Sequence, residues 1–156
     1  MTTDSLMQTG IIIVDHGSRR DESNAMLERV AALFAERFKD RYTIVEPAHM
    51  ELAEPSIATA YAKCVNRGAQ RVVVCPFFLG PGKHWTQDIP RLTADAAQNF
   101  PQTCYHVSPT LGVDDLILDL LDKRASGCAD HGYLCDLCKG TPRSGEKCVM
   151  EAAPQA

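Results

Sequence analysis

Apolar residues recur along the chain in two rhythms. Ile11-Ile12-Ile13-Val14 and Val72-Val73-Val74 are unbroken and β-branched. Such runs predict strands that are apolar on both faces, as in a parallel sheet. Elsewhere the apolar positions step by three and four residues, the period of one helical face. Met26, Leu27, Val30, Leu33, Phe34 and Phe38 mark a first helix, and Ile57, Ala58, Tyr61, Ala62 and Val65 a second. Ile89, Leu92, Ala96 and Phe100 mark a third, and Leu116, Ile117, Leu120 and Leu121 a fourth. Two weaker strands are expected at 43–50 and 104–107. Pro47 limits pairing in the first of these, which predicts an edge strand or one that breaks early. Pro55 and Pro90 suit first helical turns, and Gly68 suits the stop of the second helix.

The resulting order is strand then helix, four times over. It predicts an α/β fold with a four-stranded parallel sheet and helices on both faces, taken as flavodoxin-like, an arrangement whose strand order is 2-1-3-4. The periodicity stops at Gly127. Residues 1–126 are therefore expected to form the α/β domain, and 127–156 an irregular cysteine-rich tail that needs a staple such as a metal or cluster. A domain of about 120 residues buries a modest core, so pairing of two copies is expected.

Composition narrows the function classes. The chain has 156 residues with 45% hydrophobic and 23% charged content, ordinary for a globular domain. A net charge of −4 argues against non-specific nucleic-acid binding. No apolar run reaches the length of a membrane span. The first ten residues carry no basic residue and no long apolar stretch, which predicts neither signal nor transit peptide. The expected compartment is the cytoplasm, or the plastid stroma if the source is photosynthetic and eukaryotic. There are seven cysteines, an odd number. Cys128, Cys135, Cys138 and Cys148 crowd the end, which argues against a secreted disulfide framework.

Candidate chemistry falls at strand ends. In parallel α/β folds ligands bind beyond the carboxyl ends of the strands, at the point where the strand order reverses. The first strand runs out into Asp15-His16-Gly17-Ser18, and the third into Leu79-Gly80-Pro81-Gly82-Lys83-His84-Trp85, read as a shaped loop. With order 2-1-3-4 the two loops face each other across one cleft. His16 and His84 can then hold a divalent ion through neutral imidazole or take up protons. For each, the bland alternative is a loop histidine tied to backbone. Walker-type, GxGxxG and Gly-x-Ser-x-Gly motifs are absent, which argues against nucleotide-driven and serine-hydrolase chemistry. His49 is a weaker candidate for a metal or proton ligand. Glu54 is as readily a helix cap as a ligand. His106 reads as a strand or core residue, and His131 as a possible extra ligand in the tail. For Arg19, Arg20 and Lys83 simple solvation is the better reading, with pairing to substrate carboxylates the alternative.

Four motifs, in order, carry a family resemblance. Val14-Asp15-His16-Gly17-Ser18-Arg19, Glu51-Leu52-Ala53-Glu54-Pro55-Ser56, Pro76-Phe77-Phe78-Leu79 with Gly82-Lys83-His84, and Asp88-Ile89-Pro90 resemble the small sirohydrochlorin chelatases of the CbiX/SirB type. The resemblance covers about residues 10–122. It implies a chelatase fold, a homodimer, and insertion of Fe²⁺ or Co²⁺ into sirohydrochlorin without nucleotide. It further implies that His16 and His84 bind the incoming metal, with His16 also the proton acceptor. Glu51 matches the acid of the second loop, and Phe78, Leu79, Gly80, Pro81, Gly82 and Lys83 match the substrate-contacting loop. A non-catalytic tetrapyrrole or metal sensor is the reading from a different class.

In the tail, Cys128, Cys135, Cys138 and Cys148 offer four thiolates within 21 residues. Such a set suits structural zinc or an iron-sulfur cluster. Zinc ribbons show two close pairs, and here only Cys135-x-x-Cys138 is close, which favours a cluster. The tail resembles that of plant-type ferrochelatases of the family, which implies a 2Fe-2S cluster and iron as the metal substrate, with a cobaltochelatase as the alternative. Cys64, Cys75 and Cys104 are read as apolar fillers.

Overall fold

In the computed structural model, residues 7–132 and 141–143 are described. The run Ile11 to Val14 forms the middle of strand β1 (Thr9–Asp15), whose interior is wholly buried. Helix α1 (Asp21–Arg37), strand β2 (Ile44–His49), helix α2 (Ile57–Asn66) and strand β3 (Arg71–Pro76) follow. A five-residue π-helical turn (His84–Asp88) leads directly into helix α3 (Ile89–Ala97), then strand β4 (Cys104–Val107) and helix α4 (Asp115–Asp130). The sheet is parallel throughout, as expected from the alternation, and its order is β2-β1-β3-β4, that of the flavodoxin-like arrangement. Pro47 lies in β2, an edge strand, where its missing N–H breaks no ladder on the open side.

The two faces of the sheet carry separate cores. Ile12, Val14, Val72 and Val74 point to one face and pack with Ile57, Ala60, Tyr61 and Cys64 of α2 and Ile89 and Ala96 of α3. Gly10 permits the close approach of α2, since a side chain there would crowd the Cys64 side chain at 3.0 Å. Ile11 and Ile13 point to the other face and pack with Leu27 and Ala31 of α1, flanked by Phe34, Tyr42, Val45 and Val73. Alternate residues of each central strand thus serve opposite cores, which is why the runs are apolar without a break.

Local chemistry sets the helix ends. Ser56 caps α2, its hydroxyl accepting from the Thr59 N–H at 3.2 Å. Pro55 therefore sits just outside α2 rather than in its first turn. Asp114 caps α4 by accepting from the Leu116 N–H at 2.9 Å. In α1 the work falls to Asn24, which accepts from the Ser18 N–H and donates to the Ser18 carbonyl, both at 2.9 Å. That exchange ties the polar stretch after β1 to the first turn of the helix.

The described residues fall into two compact units, divided between Gly112 and Val113. The first holds the whole sheet with α1, α2 and α3. The second begins with α4, which runs through Gly127 to Asp130 and leaves Leu116 and Leu121 exposed. Cys128 lies in α4 and is half-buried. Cys135, Cys138 and Cys148 lie outside the described residues.

Candidate active site

The site is built from the carboxyl ends of β1, β2 and β3. At the end of β1 the chain must turn sharply, and Gly17 makes the turn with φ +86°. A side chain there would overlap the Glu51 carbonyl oxygen, so the loops after β1 and β2 touch backbone to backbone. The Met50 N–H donates to the Asp15 carbonyl at 2.8 Å and the Glu51 N–H to the His16 carbonyl at 3.0 Å. These bonds extend the β1–β2 ladder past the strands and fix Glu51 beside His16. The side chains meet there, His16 Nε2 lying 2.8 Å from Glu51 Oε1. The other ring nitrogen of His16, Nδ1, lies 3.1 Å from the Gly17 carbonyl oxygen. Both nitrogens of the ring thus face oxygen atoms.

His84 arrives from the far side of the switch point. It was expected in an irregular loop; instead it opens the π-helical turn. The cause is Pro90, which has no N–H to give to the carbonyl four residues back, and whose ring crowds that carbonyl. The preceding turn widens, and the Ile89 N–H bonds to the His84 carbonyl. This places Asp88 one turn beyond His84, with Asp88 Oδ2 2.9 Å from His84 Nδ1. A carboxylate on Nδ1 holds the proton there and leaves Nε2 as a bare lone pair, the tautomer that binds a metal.

The rings of His16 and His84 sit edge to face with centroids 5.0 Å apart. Both are about half exposed, at 41% and 47%. Phe78 stacks near His84 at 6.5 Å between ring centroids. Its loop is held by bonds from the Leu111 N–H to the Phe78 carbonyl and from the Gly112 N–H to the Leu79 carbonyl. Leu79, Gly80, Pro81, Gly82 and Lys83 are exposed along the rim, Leu79 at 64%. On the opposite rim Leu52 is also exposed. Next to it lies a groove of about 500 Å³ whose lining includes Ser18, Arg19, Asn24, Leu52 and Glu54. The result is an open cleft with apolar edges and two imidazoles at its centre, suited to a large planar ligand. Among the described residues, no group of three or more His, Cys, Asp or Glu side chains is arranged as a closed metal cage.

The remaining candidates divide. Glu54 is a cap: its carboxylate accepts from the Ser56 N–H at 2.7 Å and the Thr59 hydroxyl at 3.0 Å. Those bonds, the Ser56 backbone first, hold its pKa below the usual carboxylate value. His106 is exposed on edge strand β4 rather than in the core. The Nδ1 of His131 lies 2.8 Å from the Gly127 carbonyl oxygen at the end of α4. His49 is fully buried, with Nδ1 2.6 Å from Asp15 Oδ1. Two partners, Asp15 and Asp88, escaped the sequence, as did the depth of His49. The His84–Asp88 spacing is a readable signal, because residues four apart share a helical face. Burial also separates the cysteines, for it pushes the Cys64 thiol up to about 12 and raises Cys75. Cys104 is exposed, not a filler.

Two imidazoles thus face each other at the switch point of a parallel α/β sheet, one of them aimed by a carboxylate. Residues 10–128 match the CbiX family model, and the chain belongs to that family. It is 55% identical over 136 residues to the chloroplastic sirohydrochlorin ferrochelatase of Arabidopsis thaliana, covering 85% of this chain and 60% of that protein. It is 43% identical over 82 residues to a sirohydrochlorin cobaltochelatase of Methanocaldococcus jannaschii, covering 53% of this chain and 56% of the relative. The chain thus spans less than two thirds of both relatives. The fold matches the crystal structure of a CbiX protein from Marinobacter aquaeolei with a TM-score of 0.66 and 22% identity, over 79% of this chain and 98% of that one.

Proposed function

We propose that this chain inserts Fe²⁺ into sirohydrochlorin to give siroheme, without a nucleotide. The observation that carries the reading is the His16–His84 pair, with ring centroids 5.0 Å apart in an open cleft. Insertion replaces two pyrrolic N–H protons by one M²⁺, so the site must deliver a cation and remove two protons. The pair divides that labour. His84, aimed by Asp88, offers Nε2 as a neutral ligand that can hand the ion on. One imidazole and water make an incomplete shell, unlike a closed structural site. His16 with Glu51 is the proton acceptor: the half-exposed ring takes the two pyrrolic protons one after the other, passing each to solvent, and the carboxylate at 2.8 Å stabilises the imidazolium in between. Phe78 and the rim residues Leu79 to Lys83 form the wall against which the macrocycle lies.

The similarity to a plant ferrochelatase favours iron. The similarity to an archaeal cobaltochelatase keeps Co²⁺ as the second reading. The chloroplastic relative supports a plastid setting, and no helix among the described residues is long and apolar enough to cross a membrane. A homodimer is part of the same proposal, and a second copy of this chain would cover Leu116 and Leu121. The set Cys128, Cys135, Cys138 and Cys148 supports a 2Fe-2S cluster in the tail, with structural zinc the alternative. Its soft thiolate donors suit either, and residues 1–126 are proposed to fold without it. Anaerobically purified protein carrying stoichiometric iron and acid-labile sulfide supports the cluster; colourless protein with zinc refutes it.

The decisive assay for the enzyme reading is anaerobic. Sirohydrochlorin is mixed with Fe²⁺ or with Co²⁺, and the change in its absorbance is followed with and without protein. Turnover well above the uncatalysed rate is expected, faster with Fe²⁺. Tight binding of sirohydrochlorin with no acceleration would establish the sensor instead.

A further inference from the structure

His49 is the one fully buried histidine, and its imidazole is an expensive choice for its place. Nδ1 lies 2.6 Å from Asp15 Oδ1, while Nε2 is buried with no hydrogen-bond partner. An apolar ring would fill the same space without stranding a nitrogen. What the imidazole alone supplies is the Nδ1–H donated to Asp15. The strand register explains the encounter, because Asp15 and His49 are direct partners at the ends of β1 and β2.

Asp15 in turn holds the turn that carries His16. The same Oδ1 accepts the Gly17 N–H at 2.9 Å. Gly17 presents its carbonyl to His16 Nδ1 at 3.1 Å and lies directly against the Glu51 carbonyl. His16 thus sits one residue from a carboxylate clamped on one side by a buried ring and on the other by the turn's own backbone. Released from His49, the Asp15 side chain is free to swing toward solvent, and the turn loses the fixed acceptor that sets its direction.

We infer that Asp15 and the fully buried His49 form a positioning pair, which aims the His16–Glu51 couple without touching metal or macrocycle. The inference rests on the enzyme reading for its kinetic consequence, but its structural content is independent of turnover. Outer partners of this kind typically change activity by about tenfold or more when lost.

The test compares His49→Phe, which fills the space without a donor, with His49→Asn, whose amide restores a donor near the position of Nδ1. His49→Leu replaces the Phe variant should the larger ring prevent folding. Two readouts are taken on the full chain. The first is the long-range ¹H–¹⁵N spectrum of the histidine rings, assigned by single replacement. The second is kcat for metal insertion, beside the dissociation constant for sirohydrochlorin. Expected in His49→Phe are displaced His16 ring signals and a kcat lower by about tenfold, with sirohydrochlorin affinity within about twofold of the parent. His49→Asn should regain most of both. Unmoved His16 signals in the apolar variant overturn the inference, as does an Asn variant no better than Phe. If the parent inserts no metal, the enzyme reading fails while the ring spectra still decide the positioning role.

Discussion

Replacing Gly17 by Ala should unlatch the site from the sheet, and the structure sets the size of the effect. Gly17 has φ +86°, a conformation that costs an L-residue roughly 1–2 kcal/mol. The added methyl meets the Glu51 carbonyl, which is backbone and cannot rotate away. Carbon and oxygen settle near ~3.3 Å, so the two loops must part by on the order of 1 Å. Parting strains the Glu51 N–H to His16 bond at 3.0 Å and its neighbour from Met50 at 2.8 Å. Net losses of about 1 kcal/mol for such bonds bring the total to about 2–4 kcal/mol. For a chain of this size that lowers Tm by about 10 °C. An ångström of misplacement between reacting groups can cost about 100-fold in rate. The assay pairs a thermal melt with anaerobic metal insertion. The control is Gly127→Ala, where a methyl meets nothing within 4 Å and should add helix stability in α4. A Gly17→Ala protein melting within about 2 °C of the parent and inserting metal at the parental rate would refute the reasoning.

Two further outcomes follow from the same geometry. Iodoacetamide at pH 8 should modify exposed Cys104 and spare Cys64, whose burial pushes its thiol up to about 12; mass mapping of early alkylation that finds Cys64 first would contradict this. Glu54 has its pKa held low in the folded state, so its contribution to stability is present above the usual carboxylate range of about 4.3 and is lost as pH falls through the lowered folded value. Because Glu54 is solvent-facing, Glu54→Gln should cost only about 0.5 kcal/mol at pH 7, and melts repeated at decreasing pH should show the gap to the parent closing.

Strand order was readable from the chain because burial on both faces leaves a distinctive unbroken apolar run, as at Ile11 to Val14. Pro47 betrayed its edge strand for an equally local reason. The pairing of His16 with His84 was readable because the order of a parallel sheet dictates which loops meet. What escaped depends on register or on the geometry of single turns. Apolar periodicity does not say which residues of β1 and β2 stand opposite, so Asp15 and His49 were not seen as partners. The signal was present in the matching polar ends of the two strands. Pro90 was read as a helix-starting residue, and its effect on the turn before it was missed, although that widened turn aims His84 through Asp88. His106 lies in a strand, as one of its two readings had it, but on an exposed edge rather than in the core, because periodicity in so short a strand does not report burial.

The central claim is that His16 and His84 act as one unit, the first on protons and the second on the ion. The most direct measurement is the rate of anaerobic Fe²⁺ insertion into sirohydrochlorin by the parent, His16→Ala, His84→Ala and the double variant. Groups that act together lose their effect together, so each single variant should fall by about 100-fold or more and the double should be no slower than the worse single. Parental rates in either single variant, or losses that multiply in the double as for independent sites, would contradict it.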